Sequence, residues 1–444
     1  MGSMRRSASK AGGAARLAAA GLLAFLVPGS THAGPPAGCV QVNTITLNNQ
    51  REPAVAAKAD GEFVVAWSST TSYPAIYGRR FSAAGEPIDG TELRLNAFAD
   101  EDSRLDPDVA YASDGGFVVT WQVMGGPGDD SSWSVWARRF AADATPLDGE
   151  EFLVNTITQG WQLDPRVAVL DDDSFVIVWE NFSADVRARR YSAGGVPLDP
   201  VEFVVETAGG GPGRPAVERL PGTGFVVVWE THSAPGDSFV SVQARRFATD
   251  GTPLDADQFQ VNTYTDLWQQ NADVAVTASG GFTVAWASYG SWGSDDSAWS
   301  IQGRRYESSG VPVDAEELQL NRITLGSQRY PAVAALGGGF VAAWESFASA
   351  GGDDDPPSVQ AARFAADGLP LDPLDFQVNC YTTGQQLRPV VAELPDGSAV
   401  VVWESTAAAD DPDDRSVHLR VVRPAIFADG FESGDTSGWS STVP

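Results

Sequence analysis

The amino-acid sequence predicts an all-β fold, and three observations predict it. A phrase of the form Gly-Phe-Val-Val-x-Trp recurs along the chain. Each repeat contains four short runs rich in β-branched and aromatic residues, bounded by Gly, Pro and Asp, as is typical of strands. No segment after residue 33 keeps the 3.6-residue apolar period of a helix. Four strands in each repeated unit indicate the blades of a β-propeller.

The number of blades follows from a tryptophan that ends the second strand of every unit. Successive copies are 50 to 59 residues apart, with a mean of 56. Strand a of a unit reads Pro-x-Val-Ala, strand b Phe-Val-Val-x-Trp, strand c x-Ala-Arg-Arg-Phe and strand d Phe-x-Val-Asn. We therefore predict seven four-stranded blades, marked by Trp67, Trp121, Trp179, Trp229, Trp286, Trp344 and Trp403.

The strand count also predicts how the ring closes. Units one to six each end in a strand d, whereas the seventh runs into Pro424 and a polar tail. An extra d-type strand, Gln41-Val42-Asn43, precedes the first unit. By completing the seventh blade it leaves no open sheet edge. We assign residues 41–423 to the propeller, 34–40 to a linker and 424–444 to an acidic tail.

Residues 1–33 have the pattern of a secretory signal peptide. A basic start precedes an apolar run, Leu17–Val27, that is too short to span a bilayer, and Pro28 ends it. Thr31-His32-Ala33 offers a cleavage site. Arg5-Arg6 leaves the general and the twin-arginine export routes open. We expect an exported protein in the extracellular space, at the cell surface or in the periplasm.

Charge and composition exclude several classes of function. The chain carries a formal net charge of −29, and residues 34–444 hold 25 basic against 58 acidic side chains. Nucleic acid is excluded as a partner because phosphate binding needs clustered Lys and Arg. Attachment to an anionic membrane surface is disfavoured, and no later segment is long and apolar enough to cross a membrane. Two His and two Cys after residue 33 leave little material for zinc sites or nucleophilic triads. We expect a monomer.

Residues that recur in every blade are expected to be structural. The repeat tryptophans should pack between adjacent sheets, and one Arg of each pair should meet an acid on the neighbouring blade. A Gln before strand a recurs in five units and should bond to backbone. The glutamates that follow four of the tryptophans lie on separate blades, which argues against a catalytic pair. These glutamates are Glu180, Glu230, Glu345 and Glu404.

Residues that differ between blades are the better candidates for a site. The b–c loops carry clustered acids, and in a propeller they emerge on the same face as the d–a loops. Carboxylates beside Gly turns suit Ca²⁺, which prefers six to eight oxygen ligands, although no EF-hand spacing is present. The alternative is a solvated acidic rim that keeps the protein soluble. The candidate metal ligands are Asp129, Asp130, Asp295, Asp296, Asp353, Asp354 and Asp355.

The same loops carry tryptophans that could stack on sugar rings. The candidate ligand-binding residues are Trp133, Trp161, Trp268, Trp292 and Trp299. The alternative for Trp133 and Trp299 is that they only cover the tops of their blades.

Two cysteines flank strands of neighbouring blades. Cys39 precedes the N-terminal d-type strand, and Cys380 follows strand d of the sixth blade. A disulfide would suit an exported protein, but the two residues lie at opposite ends of their strands. Pairing therefore stays open.

The repeat, with its Arg-Arg-Phe, Phe-x-Val-Asn and Asp-Gly-Phe-Val-Val-x-Trp phrases, resembles repeats of large exported proteobacterial surface proteins. That resemblance implies a surface or secreted role in adhesion, with no established enzyme activity. Many such proteins carry calcium-binding nonapeptides, which this chain lacks, so their calcium binding does not transfer. The tail phrase Gly430-Phe431-Glu432-Ser433-Gly434-Asp435 resembles a C-terminal motif of exported gammaproteobacterial proteins, which implies a sorting tag.

These observations favour a secreted, non-enzymatic binding or adhesion protein. Its acidic, Trp-bearing face would recognise a glycan, a surface polymer or a surface protein, with calcium as a cofactor. One alternative is a polysaccharide-active propeller enzyme, a glycosidase or lyase. That function needs an acid–base group at the central channel, and no singular cluster of His, Asp or Glu marks one in the sequence. A structural protein of an envelope or matrix is the other alternative.

Overall fold

The computed structural model describes residues 38–423, apart from 71–73, 99–101, 127–132, 183, 208–209, 233–238, 291–294, 296–297, 350, 352, 354 and 409–410. The predicted signal peptide and the C-terminal tail lie outside the described residues. Every regular element in this part of the chain is a strand. None of it forms a helix that could cross a membrane.

The strands form seven antiparallel sheets of four strands each. The innermost strand of every sheet contacts the innermost strands of the two neighbouring sheets, and the seventh contacts the first, so the sheets form a closed ring. The predicted seven-bladed β-propeller is confirmed. Blade 1 comprises β2 (Gln50–Ala57), β3 (Phe63–Ser69), β4 (Ala75–Phe81) and β5 (Leu93–Arg94). Blade 2 comprises β6 (Ser103–Tyr111), β7 (Phe117–Met124), β8 (Trp133–Phe140) and β9 (Phe152–Leu153). Blade 3 comprises β10 (Gln162–Val169), β11 (Phe175–Asn181), β12 (Asp185–Tyr191) and β13 (Phe203–Val204).

The remaining blades repeat the same order of strands. Blade 4 comprises β14 (Pro212–Leu220), β15 (Gly224–Thr231), β16 (Ser241–Ala248) and β17 (Phe259–Gln260). Blade 5 comprises β18 (Gln269–Val276), β19 (Phe282–Tyr289), β20 (Trp299–Tyr306) and β21 (Leu318–Gln319). Blade 6 comprises β22 (Gln328–Leu336), β23 (Gly339–Ser346), β24 (Ser358–Phe364) and β25 (Phe376–Gln377). Blade 7 comprises β26 (Gln386–Glu393), β27 (Ala399–Ala408), β28 (Asp411–Val422) and, from the N-terminus, β1 (Cys39–Gln41).

The N-terminal strand closes the ring as predicted. Strand β1 pairs antiparallel with β28, with Gln41 opposite His418. The amide of Val42 continues the ladder by donating to the carbonyl oxygen of Val417 at 2.8 Å. The outer edge of blade 7 is thereby covered by a strand from the other end of the chain.

The second strand of each blade explains the recurring apolar phrase. Strand β3 is buried along its whole length, as are β11, β15 and β23, because sheets of the neighbouring blades cover both faces. A strand buried on both faces reads as a continuous apolar run rather than an alternating one. The seven repeat tryptophans are fully buried, and Trp121 packs among side chains of blades 1 and 2. The expectation that they are structural is confirmed.

The recurring Arg pair of strand c ties neighbouring blades together. Arg79 donates to the carbonyl oxygen of Val42, on the preceding blade, at 3.0 Å. Arg80 forms an ion pair with Asp89 at 2.7 Å and donates to the carbonyl oxygen of Ala142, on the following blade, at 2.6 Å. The prediction that the acid lies on the neighbouring blade was wrong. Asp89 belongs to the same blade because the turn after strand c folds back over it.

Candidate functional site

The innermost strand of each blade carries a β-bulge near its start. Residue pairing with the next strand shifts there in all seven blades. The bulge residue has a positive φ, between 47° and 57°, which costs a non-glycine residue about 1–3 kcal/mol. The seven bulge residues are Glu52, Asp106, Asp164, Arg214, Asn271, Tyr330 and Arg388.

These seven residues line one end of the central channel, which we call the channel mouth. The channel has a volume of about 740 Å³ and is lined by the innermost strands of all seven blades. The bulges lie where strand a begins and strand b ends, since Gln50 is paired with Ser69. The mouth therefore opens on the face that carries the b–c and d–a loops.

In five blades the bulge is held by the residue that follows the repeat tryptophan of the preceding blade. Glu404 accepts a hydrogen bond from the amide of Glu52 at 2.7 Å, and Glu345 accepts one from the amide of Arg388 at 2.7 Å. Gln122 accepts from the amide of Asp164 at 2.9 Å. These contacts explain how a strained backbone persists around the ring. They also give the repeated glutamates the structural role that their recurrence predicts.

The side chains of the channel mouth are divided by charge. Blades 1 to 3 contribute Glu52, Asp106 and Asp164, which we call the acidic arc. Blades 4 to 7 contribute Arg214, Asn271, Tyr330 and Arg388, which we call the basic arc. The sequence did not predict this cluster, because variable residues were expected to form a site in the loops and these stand inside strand a. The signal was present as a variable, mostly charged residue in front of the repeated proline of strand a.

Arg388 brings three carboxylates together where the two arcs meet. Its guanidinium lies 3.3 Å from Glu52 Oε1, 3.8 Å from Asp106 Oδ1 and 3.9 Å from Glu404 Oε1. The oxygens of Glu52 and Asp106 are near the same Nη1 atom, so they are at most about 7 Å apart. This upper bound allows the spacing of about 5–5.5 Å, or of about 6.5 Å and more, that carboxyl pairs of glycosidases have. No singular cluster of His, Asp or Glu marks this group in the sequence, because its members come from separate repeats.

Burial at and around the channel mouth favours the protonated form of several acids. Burial, with the nearby charges of Glu52 and Asp164, raises the pKa of Asp106 to about 7. Burial also raises the pKa of Glu180 and of Glu345 to about 7. Glu52, by contrast, faces the Arg388 guanidinium and accepts hydrogen bonds from Ser68 and from the amide of Asp106. Carboxyl groups with such different surroundings can divide the roles of acid and base.

Two exposed tryptophans lie on the same face as the channel mouth. Trp161 and Trp268 each have 46% of their surface exposed. Trp161 packs on Phe182, with ring centroids 5.1 Å apart, and Trp268 stacks on Trp299 at 6.2 Å. Arg329, the neighbour of Tyr330 in the chain, lies 5.1 Å from the ring centre of Trp299. The aromatic pair of blade 5 is thus linked to the basic arc.

The other tryptophan candidates are placed differently. Trp299 is only 5% exposed, so it supports Trp268 instead of presenting its own ring. This burial agrees with the alternative prediction, in which Trp299 only covers the top of its blade. Trp133 begins β8 and is half-buried. Trp292 lies outside the described residues.

The aspartate candidates in the described part of the chain fix their own loops. Asp295 accepts a hydrogen bond from Asn321 Nδ2 at 2.8 Å, and Asp353 accepts one from Asn379 Nδ2 at 2.8 Å. Asp355 accepts from the amide of Gly384 at 2.9 Å. No three acidic, His or Cys side chains of the described residues are arranged to hold a metal ion. Asp129, Asp130, Asp296 and Asp354 lie outside them, so calcium binding stays a prediction.

Cys39 and Cys380 form a disulfide, with Cα atoms 6.1 Å apart. The offset along the two strands is overcome by the packing of blade 7 on blade 6. Cys39 is paired with Arg420, and Arg420 Nη1 donates to the carbonyl oxygen of Val378 at 3.0 Å, two residues before Cys380. The bond ties the closing strand β1 to blade 6.

Comparison with known proteins supports the fold and goes no further. No family model and no curated protein matches the chain. A solved structure of a protein of unknown function from Dyadobacter fermentans is 10% identical, with a TM-score of 0.50, over 87% of this chain and 98% of that one. An α-L-arabinofuranosidase from Fusarium graminearum is 9% identical, with a TM-score of 0.48, over 88% and 98%. At such identities the likeness shows the propeller fold alone.

Proposed function

We propose that this protein is an exported carbohydrate-active propeller that binds a glycan across its loop face and cleaves it at the channel mouth. The observation that carries the proposal is the Arg388 cluster. It holds Glu52 and Asp106 at most about 7 Å apart beside one guanidinium, and burial raises the pKa of Asp106 to about 7. The exposed rings of Trp161 and Trp268 supply apolar surface on the same face, against which sugar rings can stack.

Each carboxyl group has a defined role in this proposal. Asp106, whose pKa of about 7 leaves part of it protonated at neutral pH, donates its proton to the leaving oxygen as the glycosidic C–O bond breaks. Glu52, paired with Arg388, accepts a proton from the attacking water. Gln122 Nε2 donates to Asp106 Oδ2 at 2.7 Å and fixes the direction of that carboxyl group. One water molecule is consumed, and a new reducing end is released.

The test measures release of reducing ends from a panel of neutral and acidic polysaccharides. We expect the wild-type protein to cleave at least one polymer and Asp106→Asn to be slower by about 10²- to 10⁴-fold. Asp143→Asn is the matched control, because Asp143 lies on a turn between strands c and d, where it caps the amide of Thr145. Full activity in Asp106→Asn, or no cleavage by the wild type, would contradict the proposal.

A second candidate is glycan binding or adhesion without cleavage, with calcium in the acidic loops. The exposed aromatic pairs favour it, because they need no catalytic group to bind sugar rings. A glycan array in calcium, repeated in EDTA, separates the two candidates. Binding without any reducing ends would support the second one, and loss of that binding in EDTA would assign a role to calcium.

A further inference from the structure

One blade lacks the acceptor that holds the bulge in the other six. The amides of the bulge residues in blades 1 to 5 and 7 each donate to a side chain, such as Glu230 for Asn271 at 3.0 Å. Tyr330, in blade 6, has no side-chain acceptor among the described residues. The reason is that blade 5 has Ala287 directly after its repeat tryptophan, where other blades carry Glu, Gln or Ser. A backbone donor is therefore available at this point of the channel mouth.

The two arginines of the basic arc are also available to a ligand. The side chains of Arg214 and Arg388 are 47% and 48% exposed. Their nearest carboxylate oxygens lie 3.7 Å away, on Glu230, and 3.3 Å away, on Glu52. Neither guanidinium makes a hydrogen bond to a described residue. Tyr330 lines the channel together with both of them, so the three residues face a common space.

The same arc contains an acceptor without a donor. Asn271 Oδ1 is buried and has no hydrogen-bond partner in the described part of the chain. A buried acceptor left unpaired is unfavourable, and a ligand hydroxyl would satisfy it. The arc thus offers several donors for an anionic oxygen and one acceptor for a hydroxyl group.

We propose that the basic arc is a subsite for the carboxylate of an acidic sugar, so that the glycan contains uronate units. Guanidinium groups match the planar carboxylate and bind it through two parallel hydrogen bonds. The amide of Tyr330 adds a third donor, and Asn271 accepts from a ring hydroxyl. The acidic arc on the other side of the channel mouth would repel the carboxylate and so orients the sugar. This inference rests on the proposed glycan site.

The experiment uses polygalacturonate, alginate and hyaluronate, each beside its carboxyl-reduced form, with the full-length mature protein. We expect at least tenfold tighter binding of one native polymer than of its reduced form. Equal binding or cleavage of the two forms would overturn the carboxylate subsite while leaving the proposed function intact. Binding of neither form would contradict both. If dextran sulfate displaces the native polymer as effectively as the native polymer itself does, the site attracts anions unspecifically. That result would overturn the recognition of a carboxylate.

Substitutions at position 287 test the geometry of the subsite. Ala287→Glu supplies the acceptor that Glu345 supplies in the next blade, so we expect unchanged or higher thermal stability. At pH 8, above the pKa of about 7 of the equivalent Glu345, it also adds a negative charge and should reduce binding of the native polymer at least tenfold, with the reduced polymer unaffected. Ala287→Gln introduces the neutral side chain that Gln122 has at the equivalent position, so we expect a smaller loss of binding to the native polymer. Arg214→Gln should also lose the preference for the native polymer. An unchanged preference in Ala287→Glu and in Arg214→Gln would overturn the assignment.

Discussion

Tryptophan residues of this chain serve two different purposes. The seven repeat tryptophans are fully buried between blades, whereas Trp161 and Trp268 leave nearly half of their surface on the loop face. Trp299 belongs to neither group, because it is buried beneath Trp268 and Arg329. A tryptophan near a loop is therefore a candidate for ligand binding only where its ring remains exposed.

Truncation of these tryptophans should separate binding from stability. We expect Trp161→Ala and Trp268→Ala to weaken glycan binding about tenfold with little change in stability, because the rings are half exposed. Trp299→Ala should instead destabilise the fold by about 3–5 kcal/mol, because it removes a buried aromatic side chain. Isothermal titration and thermal unfolding measure the two effects. If the Trp161→Ala and Trp268→Ala variants are stable and bind the glycan as tightly as the wild type, the aromatic pairs do not belong to the binding site.

The sequence predicted the exposed Trp161 and Trp268 but not the residues of the channel mouth. Trp161 breaks the repeat visibly, because it stands in a variable loop. Asp106 and Arg388 stand inside strand a, where alternation gave no reason to expect a bulge that turns them toward the channel. Their importance arises from seven strands that meet at one axis, and that convergence is not visible within a single repeat.

The innermost strand is also held by a recurring Gln that reaches the buried tryptophan. Gln162 Oε1 accepts from Trp179 Nε1 at 2.8 Å, while its Nε2 donates to the carbonyl oxygen of Gln159 at 3.2 Å. The predicted bond to backbone is confirmed, and the bond to tryptophan is an addition. Blade 6 differs, since Gln328 accepts from Ser346 and Trp344 Nε1 has no partner among the described residues.

This difference between blades offers a matched pair of variants. Gln162→Leu leaves the indole N–H of Trp179 unpaired in the core and should cost about 1–3 kcal/mol. Gln328→Leu should cost less, because Trp344 Nε1 already lacks a partner. Urea unfolding followed by tryptophan fluorescence measures both. Equal losses would show that the bond to the indole contributes nothing specific.

At the scale of the whole molecule, counting strands was enough to predict ring closure by β1. The pairing of Cys39 with Cys380 was not predictable in the same way. It depends on how far blade 7 is displaced along blade 6, and the Arg420 contact to Val378 sets that displacement. Sequence repeats give the order of strands in a sheet, whereas side-chain contacts between sheets decide which strand ends meet.

The acids of the channel predict how stability depends on pH. Burial raises the pKa of Glu180 and Glu345 to about 7 and that of Glu218 to about 8, so the folded state holds protons that the unfolded chain has released. Their contribution is fully present below about pH 4 and is lost as the pH rises through these values. We therefore expect the melting temperature to fall by several degrees between about pH 5 and about pH 8. Glu218→Gln should flatten that fall, and a melting temperature that rises with pH would contradict the assignment.

The central claim is that the channel mouth binds and cleaves the glycan. The most direct measurement is a crystal structure of the Asp106→Asn variant with an oligosaccharide of the polymer that the protein binds most tightly. We expect a glycosidic oxygen within hydrogen-bond distance of the side chain at position 106, and a sugar carboxylate against Arg214 or Arg388. An oligosaccharide bound only at the exposed tryptophans, with none at the channel mouth, would contradict it.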